Sequence, residues 1–201
     1  MTALGARRAV TEPATLADVL TGALARPSVS PLVRDSVLVL AGAALTALAA
    51  QVSFHAPWTT VPYTLQTGSV LLVGTALGGR RGAVSMALYV LVGAIGLPVF
   101  SAGASGLDQL FGFTGGYLAA FVLAGALVGW LAERRWDRSP LGMLGLMAIG
   151  SVLIYAVGVP VLMLVRHLDP WTAIYSGAIV SCRGMPSRPR WPLDSSRSRG
   201  A

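Results

Sequence analysis

Side chains able to do chemistry are few in this sequence, and they stand apart. Cys182 is the one cysteine, so there is no disulfide framework. His55 and His167 are far from each other, without HxxxH or CxxC spacing, and a structural metal site is not expected. The run Gly74-Thr75-Ala76-Leu77-Gly78-Gly79-Arg80 comes near a phosphate-binding loop. It lacks the lysine and the following Ser/Thr, and it falls between two apolar segments, the wrong context for a nucleotide fold. No cofactor is expected, and no ATPase within this chain. A membrane enzyme needs paired carboxylates or clustered histidines at membrane depth. None of the apolar segments described below holds an Asp, Glu or His. The chemistry left is that of binding, in two stretches rich in Gly, Pro, Thr and aromatics: Phe54–Gln66 and Leu97–Thr114.

The elements around those stretches belong to a membrane. Of 201 residues, 54% are hydrophobic and only 11% charged, and the mean hydropathy is +0.68. A soluble domain carries about a quarter charged residues. Six apolar segments are predicted: Ser36–Ser53, Leu65–Gly78, Ala83–Val99, Gly115–Ala132, Leu141–Val165 and Trp171–Cys182. The second and the last are short. A short helix survives in a membrane when its ends are buried against protein, which favours a compact bundle with a cavity at one end. Residues 1–35 hold Leu16, Val19, Leu20 and Leu24 at helical spacing. They predict a short amphipathic helix on the inner membrane surface, with disorder as the other reading. Ala43 and Ala47 form a small-xxx-small pair on the first helix, which permits close helix approach.

All fifteen basic residues are Arg, and their placement orients the chain. With the N-terminus in the cytoplasm and six spans, fourteen lie inside and Arg166 alone lies outside. Trp58 and Trp171 then mark the outer interface, Trp130 and Trp136 the inner one. The inner loops are short and basic. The two outer loops are long and nearly uncharged, which suggests a lid over a binding site. Nucleic-acid binding, which wants a basic face interleaved with aromatics, is not expected.

Four blocks sharpen this. They are Val61-Pro62-Tyr63-Thr64-Leu65-Gln66-Thr67; Leu77-Gly78-Gly79-Arg80-Arg81-Gly82; Gly93-Ala94-Ile95-Gly96-Leu97-Pro98-Val99-Phe100; and Phe111-Gly112-Phe113-Thr114-Gly115-Gly116-Tyr117. In this order and spacing the sequence resembles the BioY family, the biotin-binding S components of energy-coupling factor (ECF) vitamin transporters. The resemblance covers roughly residues 36–170. It implies an all-α integral membrane protein, a six-helix S-component bundle in the bacterial plasma membrane. Such a protein captures biotin from outside. Its partners are a transmembrane coupling subunit and ATPase subunits, which use the ATP, with membrane lipids around it. A biotin pocket needs hydrogen-bond partners for the ureido ring, aromatic walls, and a place for the carboxylate. Thr64 and Gln66 suit the ureido group, and Tyr63, Phe111 and Tyr117 suit the walls. Gly103, Gly106, Gly115 and Gly116 permit close backbone approach, beside Thr114. Backbone N–H groups at the helix start after Thr114 favour an anion. Ala43 and Ala47 resemble the docking surface for the coupling subunit. The resemblance leaves two other readings: an S component for another vitamin, or a degenerate membrane protein that does not transport.

The end of the chain departs from the family. The family's last helix carries an Asp followed closely by a Lys. Here Ile179-Val180-Ser181-Cys182-Arg183 leads into a Pro-, Ser- and Arg-rich stretch, and the chain has no Lys. The sixth helix reads as truncated, with 36–182 as the membrane domain and 183–201 as a disordered tail. A changed reading frame near residue 180, or a truncated gene, is the expected cause. Reading the other frames of the coding DNA tests it.

Overall fold

The computed structural model describes residues 15, 30–54, 63–167 and 174. Expectations for the rest, among them the amphipathic segment, His55, Trp58, Trp171, the sixth span and the tail, lie outside the described residues.

Six α-helices are found among the described residues: α1 (Pro31–Gln51), α2 (Gln66–Leu77), α3 (Gly79–Ala94), α4 (Leu107–Phe111), α5 (Gly115–Glu133) and α6 (Pro140–Arg166). α1, α5 and α6 are long and apolar enough to cross a membrane, and α2 is a shorter apolar helix. The all-α expectation needs one addition. β1 (Ser53–Phe54) and β2 (Tyr63–Thr64) pair antiparallel, with Ser53 opposite Thr64 and Phe54 opposite Tyr63. Short 3-10 turns at Ser101–Gly103 and Trp136–Arg138 complete the order.

Two helix starts use the same device. Ser30 Oγ accepts from the Val33 N–H at 3.4 Å, with Pro31 opening α1. Ser139 Oγ accepts from the Gly142 N–H at 3.0 Å, with Pro140 opening α6. The serine satisfies an orphan donor, and the proline has none to lose. This corrects the first span: α1 begins five residues before Ser36, so the expected boundary at residue 35 falls inside a helix. Arg34 and Asp35, which set that boundary by their charge, sit in its first turns. The third span is corrected too. Arg80 and Arg81 belong to α3 rather than to a loop, and the chain leaves the helix at Ile95, short of Val99.

The chain alternates between two ends of the bundle. One collects Arg34, Arg80, Arg81, Arg134, Arg135 and Arg138 and is the arginine end; Trp130 and Trp136 lie there, half exposed. Arg134 lies over the Trp130 ring, 3.4 Å from its centroid. The other is the loop end, where α1, α3 and α6 finish and α2 and α5 begin. Arg166 is the one arginine there among the described residues.

α5 is the central helix, packed against α6, α3 and α2. Two thirds of its span is buried, against 17% for α1 and 28% for α6. The outward faces of α1 and α6 carry Val37, Leu40, Leu48, Leu141, Leu144 and Val152, all exposed. An apolar exterior of this extent suits lipid rather than water. The core joins Val70, Leu71, Met86, Phe121, Val128 and Ile154 across four helices.

The α2–α3 turn at the arginine end is tight. Gly78, at φ +86°, turns the chain within one residue. Gly129 of α5 faces that turn, and a Cβ there would meet the backbone of Gly78 and Gly79. Thr15 is buried against the same corner. Glu133 Oε1 accepts from the Gly79 N–H at 2.9 Å and so caps α3 from another helix. Glu133→Ala is expected to lower stability by about 1 kcal/mol, as loss of a capping acceptor does. Glu133→Gln should cost less, because its carbonyl still accepts. Thermal unfolding in detergent measures both.

Candidate functional site

The loop end is built on α2 and α3. Gln66, the first residue of α2, is buried, and its Nε2 donates to the Tyr89 hydroxyl at 2.9 Å. Tyr89 Oη donates to the Val99 carbonyl at 3.1 Å. Gln51, at the end of α1, donates from Nε2 to the Phe100 carbonyl at 3.2 Å and to Ala47 O at 3.1 Å. The Phe100 ring packs edge-on to Tyr89, with centroids 5.6 Å apart, and fills the space over Gly93. The Gly106 N–H donates to the Gly93 carbonyl at 2.8 Å. Two helices, α1 and α3, thus hold residues 97–106 down on the bundle, with Gln66 of α2 bonded to the Tyr89 hydroxyl. Burial makes these bonds count, because a buried polar group without a partner costs more than a hydrogen bond gives back.

The sequence-predicted residues divide in the structure. Gln66 joins this latch, one N–H of its amide donating to Tyr89. The cap position of α2 is Leu65, which makes no side-chain bond. Thr64 is half-buried in β2. Tyr63 is described only by its backbone pairing with Phe54. Gly103 and Gly106 have φ of +75° and +93°, and nothing lies within 4 Å of a Cβ built at either. They serve as turn residues. Phe111 is 78% exposed at the end of α4, turned away from the core. Asp108 is exposed in the first turn of α4.

The start of α5 is closely packed. Thr114 Oγ1 donates to the Gln109 carbonyl at 2.9 Å. A Cβ at Gly115 would overlap the Leu110 carbonyl oxygen, and one at Gly116 would meet Val161 Cβ at 2.5 Å. Close packing accounts for both glycines. Two of the helix-start amides are already engaged: Gly115 N–H donates to Gly112 O at 3.1 Å and Tyr117 N–H to Thr114 O at 3.0 Å. An anion on the Gly115 or Tyr117 amide would have to displace a bond that already exists.

Tyr117 is the site residue with chemistry left over. Its ring is 8% exposed, lies against Gly158 of α6 and meets Tyr155 edge-on at 6.4 Å. Its hydroxyl is buried and has no hydrogen-bond partner among the described residues. A buried, unpaired hydroxyl is rare in a folded protein and asks for a reason. A ligand acceptor or donor supplies one.

The small pair on α1 faces inward. Ala43 belongs to the core and Ala47 packs against it. The residues of α1 that point out are Val37, Leu40, Leu45 and Leu48. Of the pair expected as a docking face, Ala43 is buried and Ala47 half-buried. The pair's small size is used within the bundle, where Gly42 brings α1 up to Ser85 and Ser85 Oγ donates to Val39 O at 2.9 Å.

Sequence reasoning missed Gln51, Tyr89 and Phe100 as site-building residues. Tyr89 carried a signal: a tyrosine inside an apolar span must find a partner for its hydroxyl.

The model of the BioY family matches residues 15–184. The chain is similar to the probable biotin transporter BioY of Lysinibacillus sphaericus, 39% identical over 126 residues, which are 63% of this chain and 63% of that protein. It is also similar to the biotin transporter BioY of Rhizobium etli, 33% identical over 159 residues, which are 75% of this chain and 84% of that one. It spans under two thirds of the length of several other curated relatives, such as 65% of biotin transporter BioY2 of Lactococcus lactis. Among solved structures, the S-component for biotin from an ECF-type ABC transporter superposes with a TM-score of 0.68 at 22% identity, over 75% of this chain and 83% of that one. That likeness is one of fold.

Proposed function

The chain belongs to the BioY family, and from that premise we propose that it captures biotin at the loop end of its bundle, as the substrate-specific component of an uptake transporter. The observation that carries the reading is the buried Tyr117 hydroxyl, which has no hydrogen-bond partner among the described residues and lies among the motif residues, walled by Tyr155. Biotin's ureido group offers both donors and an acceptor, and its apolar bicycle suits an aromatic wall. Residues 97–106, latched by Gln51, Gln66 and Tyr89, cover that end. Six of the seven described arginines lie at the opposite end. That bias supports a bacterial plasma-membrane protein with a cytoplasmic N-terminus and the loop end outside. Energy for uptake comes from a coupling transmembrane subunit and ATPase subunits, and ATP is consumed there rather than on this chain.

Titrating biotin into the detergent-purified chain, by intrinsic tryptophan fluorescence or calorimetry, tests the proposal. Sub-micromolar binding is expected; a folded protein that does not bind overturns it. Tyr117→Phe adds a sign test. Removing an unpaired buried hydroxyl relieves a desolvation cost of about 1–3 kcal/mol, so the ligand-free variant should melt at the same temperature or higher. Its biotin affinity should nevertheless fall about ten-fold, the worth of one hydrogen bond made in a buried site. A loss of stability with unchanged affinity would make Tyr117 a packing residue only.

A further inference from the structure

Arg166 is out of place by the rule that sorts the other described arginines. It ends α6 at the loop end, and no carboxylate lies within ion-pair distance of it among the described residues. Its guanidinium lies over the ring of Phe113, 4.4 Å from the centroid. Phe113 stands in the Phe-Gly-Phe-Thr-Gly-Gly-Tyr block, four residues before Tyr117. The same stretch of α6 runs beside that block: Gly158 packs on Tyr117 and Val161 on Gly116. Arg166 is eight residues beyond Gly158, about 12 Å further toward the loop end. A cation is thus stacked at the rim, and a buried hydroxyl without a hydrogen-bond partner among the described residues lies one turn along the same block.

A guanidinium stacked on an aromatic ring keeps its edge N–H groups free to donate. That planar fork matches a carboxylate in two parallel hydrogen bonds. The chain has no lysine to compete for that role. At the start of α5, the other anion seat in reach, the Gly115 and Tyr117 amides are already bonded within their own turn. We infer that Arg166 selects the charged end of the substrate, its guanidinium donating to the carboxylate of a ligand whose ring end lies at Tyr117. The inference rests on the biotin reading and adds to it a requirement for a free acid.

The test compares biotin with biotinamide, which has the same rings and chain but no negative charge, on the full chain in detergent. The wild-type protein is expected to bind the acid at least about ten-fold more tightly than the amide, the scale of a charge-assisted hydrogen bond. Arg166→Gln should bring the acid down to the amide's affinity and leave the amide nearly unchanged. Arg166→Lys, which keeps the charge and loses the fork, should retain part of the preference. An Arg166→Gln protein that still prefers the acid, or that loses both ligands equally, overturns the inference. The second result would mean that the stack on Phe113 only holds the loop. A wild-type protein that binds biotin and biotinamide equally overturns it without any variant. A folded wild-type protein that binds neither overturns the biotin reading itself, and this inference with it.

Discussion

Gly129→Leu is expected to prevent α5 from seating on the α2–α3 turn and to destabilise the whole bundle. A Cβ at residue 129 would meet the carbonyl carbon of Gly78 and the amide nitrogen of Gly79, with Gly78 O at 2.6 Å. These are backbone atoms, so no rotamer change relieves the contact. The turn cannot retreat, because Gly78 is committed to φ +86° and Glu133 holds the Gly79 amide. α5 cannot retreat either, since it is the helix against which α2, α3 and α6 pack. Small residues matter more here than in a soluble protein: in a membrane, helices associate largely through close packing. Overpacking typically costs about 1–3 kcal/mol, and a clash with fixed backbone belongs at or above that upper end. For a chain of this size, about 3 kcal/mol lowers the melting temperature by roughly 6–12 °C. Thermal unfolding of the purified variant measures it. A Gly129→Leu protein melting with the wild type would mean that the turn and α5 are not locked together. Gly145, where nothing lies within 4 Å of a built Cβ, is the control position. Gly145→Leu should be tolerated.

Gly93→Leu is expected to release the 97–106 segment and weaken biotin binding while leaving the helices in place. A side chain at residue 93 takes the space of the Phe100 ring. That ring is only 3% exposed and packed edge-on to Tyr89, so it has to leave its seat rather than adjust. Exposing a buried phenylalanine costs about 1.5–3 kcal/mol. That corresponds to a shift of roughly ten- to hundred-fold in the population of the latched segment. Affinity for a ligand that needs the latched form falls by the fraction lost. Two measurements are required. Biotin titration should show the weakened affinity, and hydrogen exchange should show faster exchange at the Gly103 and Gly106 amides without ligand. Exchange unchanged from wild type would sink the latch, whatever happens to binding. Tyr89→Phe should move both readouts the same way by a smaller amount. It removes the donor to Val99 and the acceptor for Gln66 while keeping the ring contact.

Much of the bundle was legible because apolar length is a local property. Gly115–Ala132 differs from α5 by one residue at its end, and Leu141–Val165 differs from α6 by one residue at each end. The misses have local causes as well. Counting charge-free residues placed the first span's start after Asp35, whereas the Ser30 cap and Pro31 start the helix earlier. Treating Arg80 and Arg81 as a loop ignored that Gly78 needs only one residue to turn the chain. The loops were legible as unusual but not as structure. Their composition marked them for binding, while the bonds that shape them join residues as far apart as Gln51 and Phe100.

The sequence by itself determined a membrane-embedded helical bundle, its charge asymmetry and its family, since each follows from composition or from motifs read in order. Only the tertiary structure decided what individual residues do. Gln66, expected as a ligand contact, also donates to Tyr89; Gly115 and Gly116, expected as an anion seat, also sit where a Cβ would not fit; Ala43, expected in a docking face, is buried in the core, with Ala47 half-buried beside it. Which way a side chain points, and whether its polar atom is already satisfied, depends on the neighbouring helices that surround it. A one-dimensional pattern carries the periodicity of a helix but not the rotation at which it packs. Tyr117, expected as a wall for its ring, proved more informative for its hydroxyl, because only the packed bundle shows that oxygen to be buried without a partner among the described residues.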